Sequence, residues 1–114
     1  MATIYHNPRC SKSRQTLEIL RSMGLDPDIV LYLEKPLDKP TLIGLLQKLD
    51  LGAADLVRRS EQAFKDNDLG KPDVSDEQLL DAMVKHPKLI ERPIVVVGDK
   101  AVLGRPPEHV LELL

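Results

Sequence analysis

Thr3-Ile4-Tyr5-His6-Asn7-Pro8-Arg9-Cys10-Ser11-Lys12-Ser13-Arg14 opens the chain and decides how the rest is read. Thr3-Ile4-Tyr5 is short and β-prone, and His6-Asn7-Pro8 is a turn-forming cluster that stops it. After Cys10 the pattern becomes helical. Leu17 and Leu20, with Met23 at the margin, recur at helical spacing, and Gly24 supplies a stop. Next, Asp28 leads into Ile29-Val30-Leu31-Tyr32-Leu33, a continuous apolar run expected to form a strand buried on both faces. Strand, helix and strand in that order predict a βαβ unit with parallel pairing.

Farther out, Asp38 can cap a helix with Pro40 in its first turn and Leu42, Leu45, Leu46 and Leu49 as its buried stripe. Residues from about 52 to 90 read as a helical insert with no convincing strand. Within it, Ser75-Asp76-Glu77-Gln78 has the form of a capping box, and His86-Pro87 ends the helix that follows. Pro93 to Val97, Gly98-Asp99 and Lys100 to Leu103 predict a hairpin with a two-residue turn. Pro106 and Pro107 suit the first turn of a last helix containing Val110, Leu111, Leu113 and Leu114. This order predicts an α/β fold: a thioredoxin-like mixed sheet, βαβ plus ββα, with a helical insert between the halves. The expectation is one domain over residues 1–114.

Bulk properties agree with that size. The chain has 114 residues, 42% hydrophobic and 30% charged, the balance of a soluble globular domain with its own core. Aromatic residues are limited to Tyr5, Tyr32 and Phe64, so the core must be aliphatic. A net charge of −2 with interspersed signs argues against nucleic acid and against an anionic membrane surface as partners. The N-terminus lacks the form of a signal peptide, and no apolar run is long enough to span a bilayer. A single cysteine excludes an intrachain disulfide, and a free thiol suits a reducing, cytoplasmic setting.

Cys10 falls where a strand hands over to a helix. The unpaired N–H groups and dipole of a helix's first turn favour negative charge, so a thiol there ionises readily. The same groups can hold an oxyanion. A lone cysteine is often a small buried hydrophobe, but polar Arg9, Ser11 and Lys12 flank this one and indicate an accessible loop. Ser13 stands three residues after Cys10, so no redox dithiol exists within the chain and any disulfide needs an outside thiol. His6 admits two readings: aid to proton transfer or to the sulfur's charge, or a turn histidine satisfied by backbone groups. The spacings of Cys10, His6, His86 and His109 fit no zinc pattern, so no metal is expected.

The segment His6-Asn7-Pro8-Arg9-Cys10-Ser11-Lys12-Ser13-Arg14 resembles the nucleophile loop of the glutaredoxin-coupled arsenate reductases, the ArsC family. Tyr32-Leu33-Glu34, Leu56-Val57-Arg58-Arg59, His86-Pro87, Arg92-Pro93-Ile94-Val95-Val96 and Gly104-Arg105-Pro106 follow in the family's order and spacing. With the chain ending at Leu114, the motifs look more like the family's short chromosomal branch than its longer plasmid-type members.

The resemblance implies an arsenate reductase serving arsenic detoxification. Cys10 would be its nucleophile, His6 its loop histidine, and Arg58, Arg92 and Arg105 its anion-binding arginines. Arg59 could take the place of Arg58. Arginine's planar fork of donors suits a tetrahedral oxyanion. In thioredoxin-like folds the proline matching Pro93 is cis and lies beside the active cysteine. The implied partners are arsenate, glutathione as co-substrate and glutaredoxin, with no bound cofactor. Two alternatives share the fold: a glutathione- or glutaredoxin-linked thiol oxidoreductase with another substrate, and an Spx-like regulator that binds RNA polymerase. Ser13 removes the Cys-x-x-Cys switch that such regulators often use.

Overall fold

In β1 (Ala2–Tyr5) buried Ala2 and Ile4 alternate with half-buried Thr3 and Tyr5, the period of a strand with one face against a core. The computed structural model describes residues 2–113. The chain separates into two compact units, Met1–Lys35 with Arg92–Leu114, and Pro36–Glu91.

The first unit is built on a four-stranded sheet in the order β2-β1-β3-β4. β1 pairs in parallel with β2 (Asp28–Val30), in the register Ile4↔Ile29. It pairs antiparallel with β3 (Ile94–Val97), in the register Ile4↔Val95. β4 (Lys100–Leu103) returns antiparallel to β3 around Gly98-Asp99, as the hairpin signal predicts. Parallel and antiparallel pairing thus meet in one thioredoxin-like mixed sheet.

α1 (Ser11–Ser22) ends where expected. Gly24 takes a φ of +81°, Leu25 N–H donates to the Leu20 carbonyl at 3.0 Å, and Gly24 N–H to that of Arg21 at 3.0 Å. This is a Schellman ending, which needs a left-handed residue that only glycine adopts without strain. Leu25 then folds back onto the core of Ile4, Leu17, Leu20, Val95 and Val110. Each such side chain contributes about 1.5–3 kcal/mol on full burial.

Two elements depart from expectation. The second strand stops at Val30, and residues from Tyr32 to Glu34 form a turn instead of its continuation. β2 is an edge strand, with Ile29 42% exposed, so it is not buried on both faces. A short apolar run reads alike at an edge and in a centre. The last helix is a 3-10 helix, Pro107–Leu113, and Pro106 lies before it in a cis peptide with Arg105. Its buried residues are Pro107 and Val110, three apart, as a three-residue turn requires. The expected place of Leu114 in this helix lies outside the described residues.

The second unit is helical. α2 (Lys39–Leu49) begins at Asp38, whose side chain accepts from Thr41 N–H at 2.9 Å, and it buries Leu42, Leu45 and Leu46. α3 (Ala53–Leu56) and α4 (Gln62–Asp66) are short. α5 (Asp76–Lys85) starts with the predicted capping box and packs against α2 and α3. A 3-10 turn, Pro87–Leu89, follows it. Val57 and Ile90 form an isolated antiparallel bridge, the nearest approach to a strand among the described residues of this unit. The unit starts at Pro36 and so takes in α2 along with residues 52–90.

Candidate active site

Between β1 and α1 the chain turns tightly. Cys10 N–H donates to the Asn7 carbonyl at 3.0 Å across Pro8-Arg9, and Asn7 Oδ1 accepts from Arg9 N–H at 3.0 Å. Proline inside the turn and an asparagine side chain mimicking backbone are the chemistry such a turn calls for. Arg14 Nη1 adds a bond to the Pro8 carbonyl at 2.9 Å. The result places Cys10 at the N-cap of α1, in extended conformation, with its carbonyl accepting the helix's first bond from Arg14 N–H.

The sulfur is half-buried. Burial works to raise its pKa, but the net shift is downward. The Ser13 amide, the Arg92 guanidinium and the Lys12 amide outweigh burial by favouring the thiolate. Arg105 Nη1 approaches Sγ to 3.9 Å and also donates to the Arg92 carbonyl at 3.1 Å. Arg92 and Arg105, thirteen residues apart, therefore converge on one sulfur. The Arg92–Pro93 peptide is cis.

His6 is buried, and its Nδ1 lies 2.6 Å from Ser13 Oγ. The same hydroxyl accepts from Asn7 N–H at 3.1 Å. Burial first, then Arg21 and Arg14, lower the His6 pKa, which keeps the ring neutral near pH 7. The histidine is thus satisfied by a serine hydroxyl, and that bond ties the strand end to the turn of helix whose amide faces Cys10.

Arg58 belongs to the second unit, where Nη1 meets Glu91 Oε1 at 2.7 Å and Nε meets Glu61 Oε1 at 3.5 Å. Its exposed neighbour Arg59 lays its guanidinium over the Phe64 ring, 5.5 Å from the centroid. Among the described residues, no group of three or more His, Cys, Asp or Glu is placed to hold a metal. Among the same residues, no helix is long and apolar enough to cross a membrane.

Sequence reasoning passed over Ser13, Thr16 and Gly104 as parts of the site. Ser13 is fully buried and serves as the anchor for His6 and Asn7. Thr16, also fully buried, donates to the Lys12 carbonyl at 2.8 Å and lies 3.4 Å from that of Gly104. A Cβ at Gly104 would fall 2.4 Å from Thr16 Oγ1 and 2.7 Å from Pro93 Cγ. Only a glycine lets the backbone before Arg105 lie this close to α1 and Pro93. Ser13 and Thr16 being polar on the inner face of an otherwise aliphatic helix was the available signal.

Comparison with known proteins finds relatives along nearly the whole chain. The sequence pattern of the ArsC family matches residues 5–113. The uncharacterized protein YfgD of Escherichia coli (strain K12) is 53% identical over 112 residues, spanning 97% of this chain and 94% of that one. An arsenate reductase of Haemophilus influenzae is 46% identical over 112 residues, covering 97% of each chain. The solved structure of an arsenate reductase from Vibrio cholerae superposes with a TM-score of 0.96 at 47% identity, over 99% of this chain and 97% of that one. A pattern spanning nearly the whole sequence, with relatives this similar along their full length, establishes that the chain belongs to the ArsC family.

Proposed function

We propose that the protein is an arsenate reductase that works through the single cysteine Cys10 and takes its electrons from glutathione and glutaredoxin. The observation that carries this reading is the convergence of Arg92 and Arg105 on a thiol of lowered pKa at a helix N-terminus. Such a site attracts an oxyanion and presents a nucleophile to its centre. The relatives named as arsenate reductases supply the identity of the oxyanion.

In the proposed cycle the Cys10 thiolate attacks As(V), an As–S bond forms, and one arsenate oxygen leaves as water after protonation. Arg92 and Arg105 hold the remaining oxygens and offset their charge. Glutathione replaces a second oxygen, again released as water, to give a Cys10–As–glutathione adduct. The glutaredoxin thiolate then attacks the glutathione sulfur, and the As–S electron pair stays on arsenic, which falls to As(III). The two thiols leave as a mixed disulfide, so two electrons balance the reduction. Water displaces Cys10 and arsenite departs. With no second cysteine in the chain, both reducing thiols must come from outside.

His6 acts through Ser13 in this proposal, holding the first turn of α1 in place, and so is a positioning residue. Arg58, paired with Glu61 and Glu91 in its own unit, enters as a third anion-binding arginine on the family resemblance alone. The chain requires no bound cofactor, and its free thiol fits a cytoplasmic setting.

The test is arsenate-dependent NADPH oxidation with glutathione, glutaredoxin and glutathione reductase supplied. Turnover is expected, and Cys10→Ser should abolish it. Equal background rates for wild type and Cys10→Ser would overturn the assignment. Reduction of other substrates by glutathione with no response to arsenate would favour a thiol oxidoreductase of different specificity.

A further inference from the structure

The helix that begins at Cys10 carries an unusual charge arrangement. α2 is capped by Asp38, α3 has Asp55 in its first turn, α4 follows Glu61 at its N-cap, and α5 opens with Asp76 and Glu77. Those carboxylates complement the positive end of the helix dipole. α1 has no acidic residue in its first turn and carries Lys12 there, with Arg9 immediately before the cap. Both side chains are exposed, and among the described residues neither has an ion-pair partner. Arg14, by contrast, is tied to the Pro8 carbonyl. Two cations at the positive pole of a helix oppose its formation, so folding does not explain them.

Their position relative to the sulfur does. Consecutive Cα atoms are about 3.8 Å apart, so the Cα atoms of residues 9 and 12 bracket that of Cys10 within roughly one Debye length. Arg92 and Arg105 already face the sulfur, Arg92 from just before β3 and Arg105 from just after β4. Arg9 and Lys12 are exposed on the loop and first turn that carry Cys10, open to a second reactant arriving from solvent. We propose that Arg9 and Lys12 form a docking rim for an anionic small thiol, whose carboxylates they hold while its sulfur reaches the Cys10 adduct. This rests on the reductase reading and deepens it. The oxyanion is held by Arg92 and Arg105, whereas the co-substrate is selected by Arg9 and Lys12. Glutathione, with two carboxylates and one ammonium, has the required chemistry.

Thiol–disulfide exchange tests the rim without arsenate. The Cys10 thiolate attacks one sulfur of a disulfide, forms a mixed disulfide and expels the other sulfur as a thiolate, so the electrons balance. Rates are measured at low salt with anionic 5,5′-dithiobis(2-nitrobenzoate), neutral 2,2′-dithiodipyridine and cationic cystamine. The ratio of the anionic to the neutral rate cancels any change in the thiolate fraction of Cys10. Wild type should prefer the anionic probe. The Arg9→Glu/Lys12→Glu variant should lower that ratio about tenfold or more, raise the ratio for cystamine, and lose both effects in high salt. Arg9→Gln/Lys12→Gln should fall between.

A second arm varies glutathione and glutaredoxin separately in the coupled arsenate assay. The expected result is a higher KM for glutathione in the charge-reversed variant. Unchanged probe ratios would overturn the rim even if arsenate is reduced. A rise in KM confined to glutaredoxin would overturn the assignment to a small thiol. Charge-dependent ratios without arsenate turnover would retain the rim while removing arsenate as substrate.

Discussion

Burial pushes the Cys10 thiol up, while the Ser13 amide, the Arg92 guanidinium and the Lys12 amide pull it down, and the pull prevails. Alkylation by iodoacetamide, followed against pH, should therefore show a midpoint below that of an ordinary thiol, about 8.5. Arg92→Gln removes the side-chain bond and its charge, so its midpoint should move upward toward that value. A wild-type profile matching free cysteine would remove the electrostatic basis of the site. The linkage sign follows from the same shift. Because folding lowers this pKa, the thiolate adds stability above the ordinary thiol pKa, and that contribution is lost as pH falls through the folded value. Gly104 makes a different demand. A methyl group there would press on Thr16 and Pro93, both packed in the interior. Gly104→Ala should cost about 1–3 kcal/mol in urea unfolding, and it should also weaken arsenate use by moving Arg105. A fully stable and active Gly104→Ala would show that the backbone gives way without cost.

At the scale of elements, what could be read in advance depended on whether the signal was local. Asp38, Ser75 and Gly24 act within a turn of themselves, and each caps the helix its position predicts. Cys10 at the start of α1 was legible for the same reason: a turn cluster followed by a helical period fixes the boundary. The extent of β2 was not, because Ile29 to Leu33 is apolar throughout while the chain bends away after Val30. The final helix lies where expected but winds as a 3-10 helix, burying Pro107 and Val110 and leaving Leu111 exposed. Least legible was direction. Nothing in the order of residues says that Arg105 points to the Cys10 sulfur, or that His6 turns to Ser13. The capping box at α5 offers a check at this scale. Ser75 Oγ accepts from Gln78 N–H at 3.2 Å, and Gln78 Oε1 accepts from Ser75 N–H at 2.8 Å. Ser75→Ala should lower stability by about 1 kcal/mol with no change in Cys10 alkylation. A loss of reactivity along with stability would mean that this helix start does more than cap.

For the whole molecule the question is whether two compact units make one cooperative domain. The first unit is discontinuous, since β1 and β2 precede residues 36–91 while β3 and β4 follow them. Pairing of Thr3 with Val96 closes the sheet across nearly the whole chain. With the middle segment unfolded, that pairing must close a long disordered loop, whose entropy opposes the sheet. The expectation of a single domain thus becomes a proposal about cooperativity: the sheet unit and the helical unit unfold together. The chain supplies separate reporters for each. Tyr5 and Tyr32 both lie in the sheet unit, whereas four of the five α-helices among the described residues lie in residues 36–91. Near-ultraviolet tyrosine signal and helical circular dichroism, followed through urea, should give one shared midpoint. Tyrosine signal changing well before or after the helical signal would separate the units. In that case, a variant that destabilises α5, such as Ser75→Ala, would lower the helical midpoint and leave the tyrosine midpoint in place. Coincident midpoints that shift together in Ser75→Ala are the expected result, because an ordered insert removes the closure entropy that opposes pairing of the strands on either side of it.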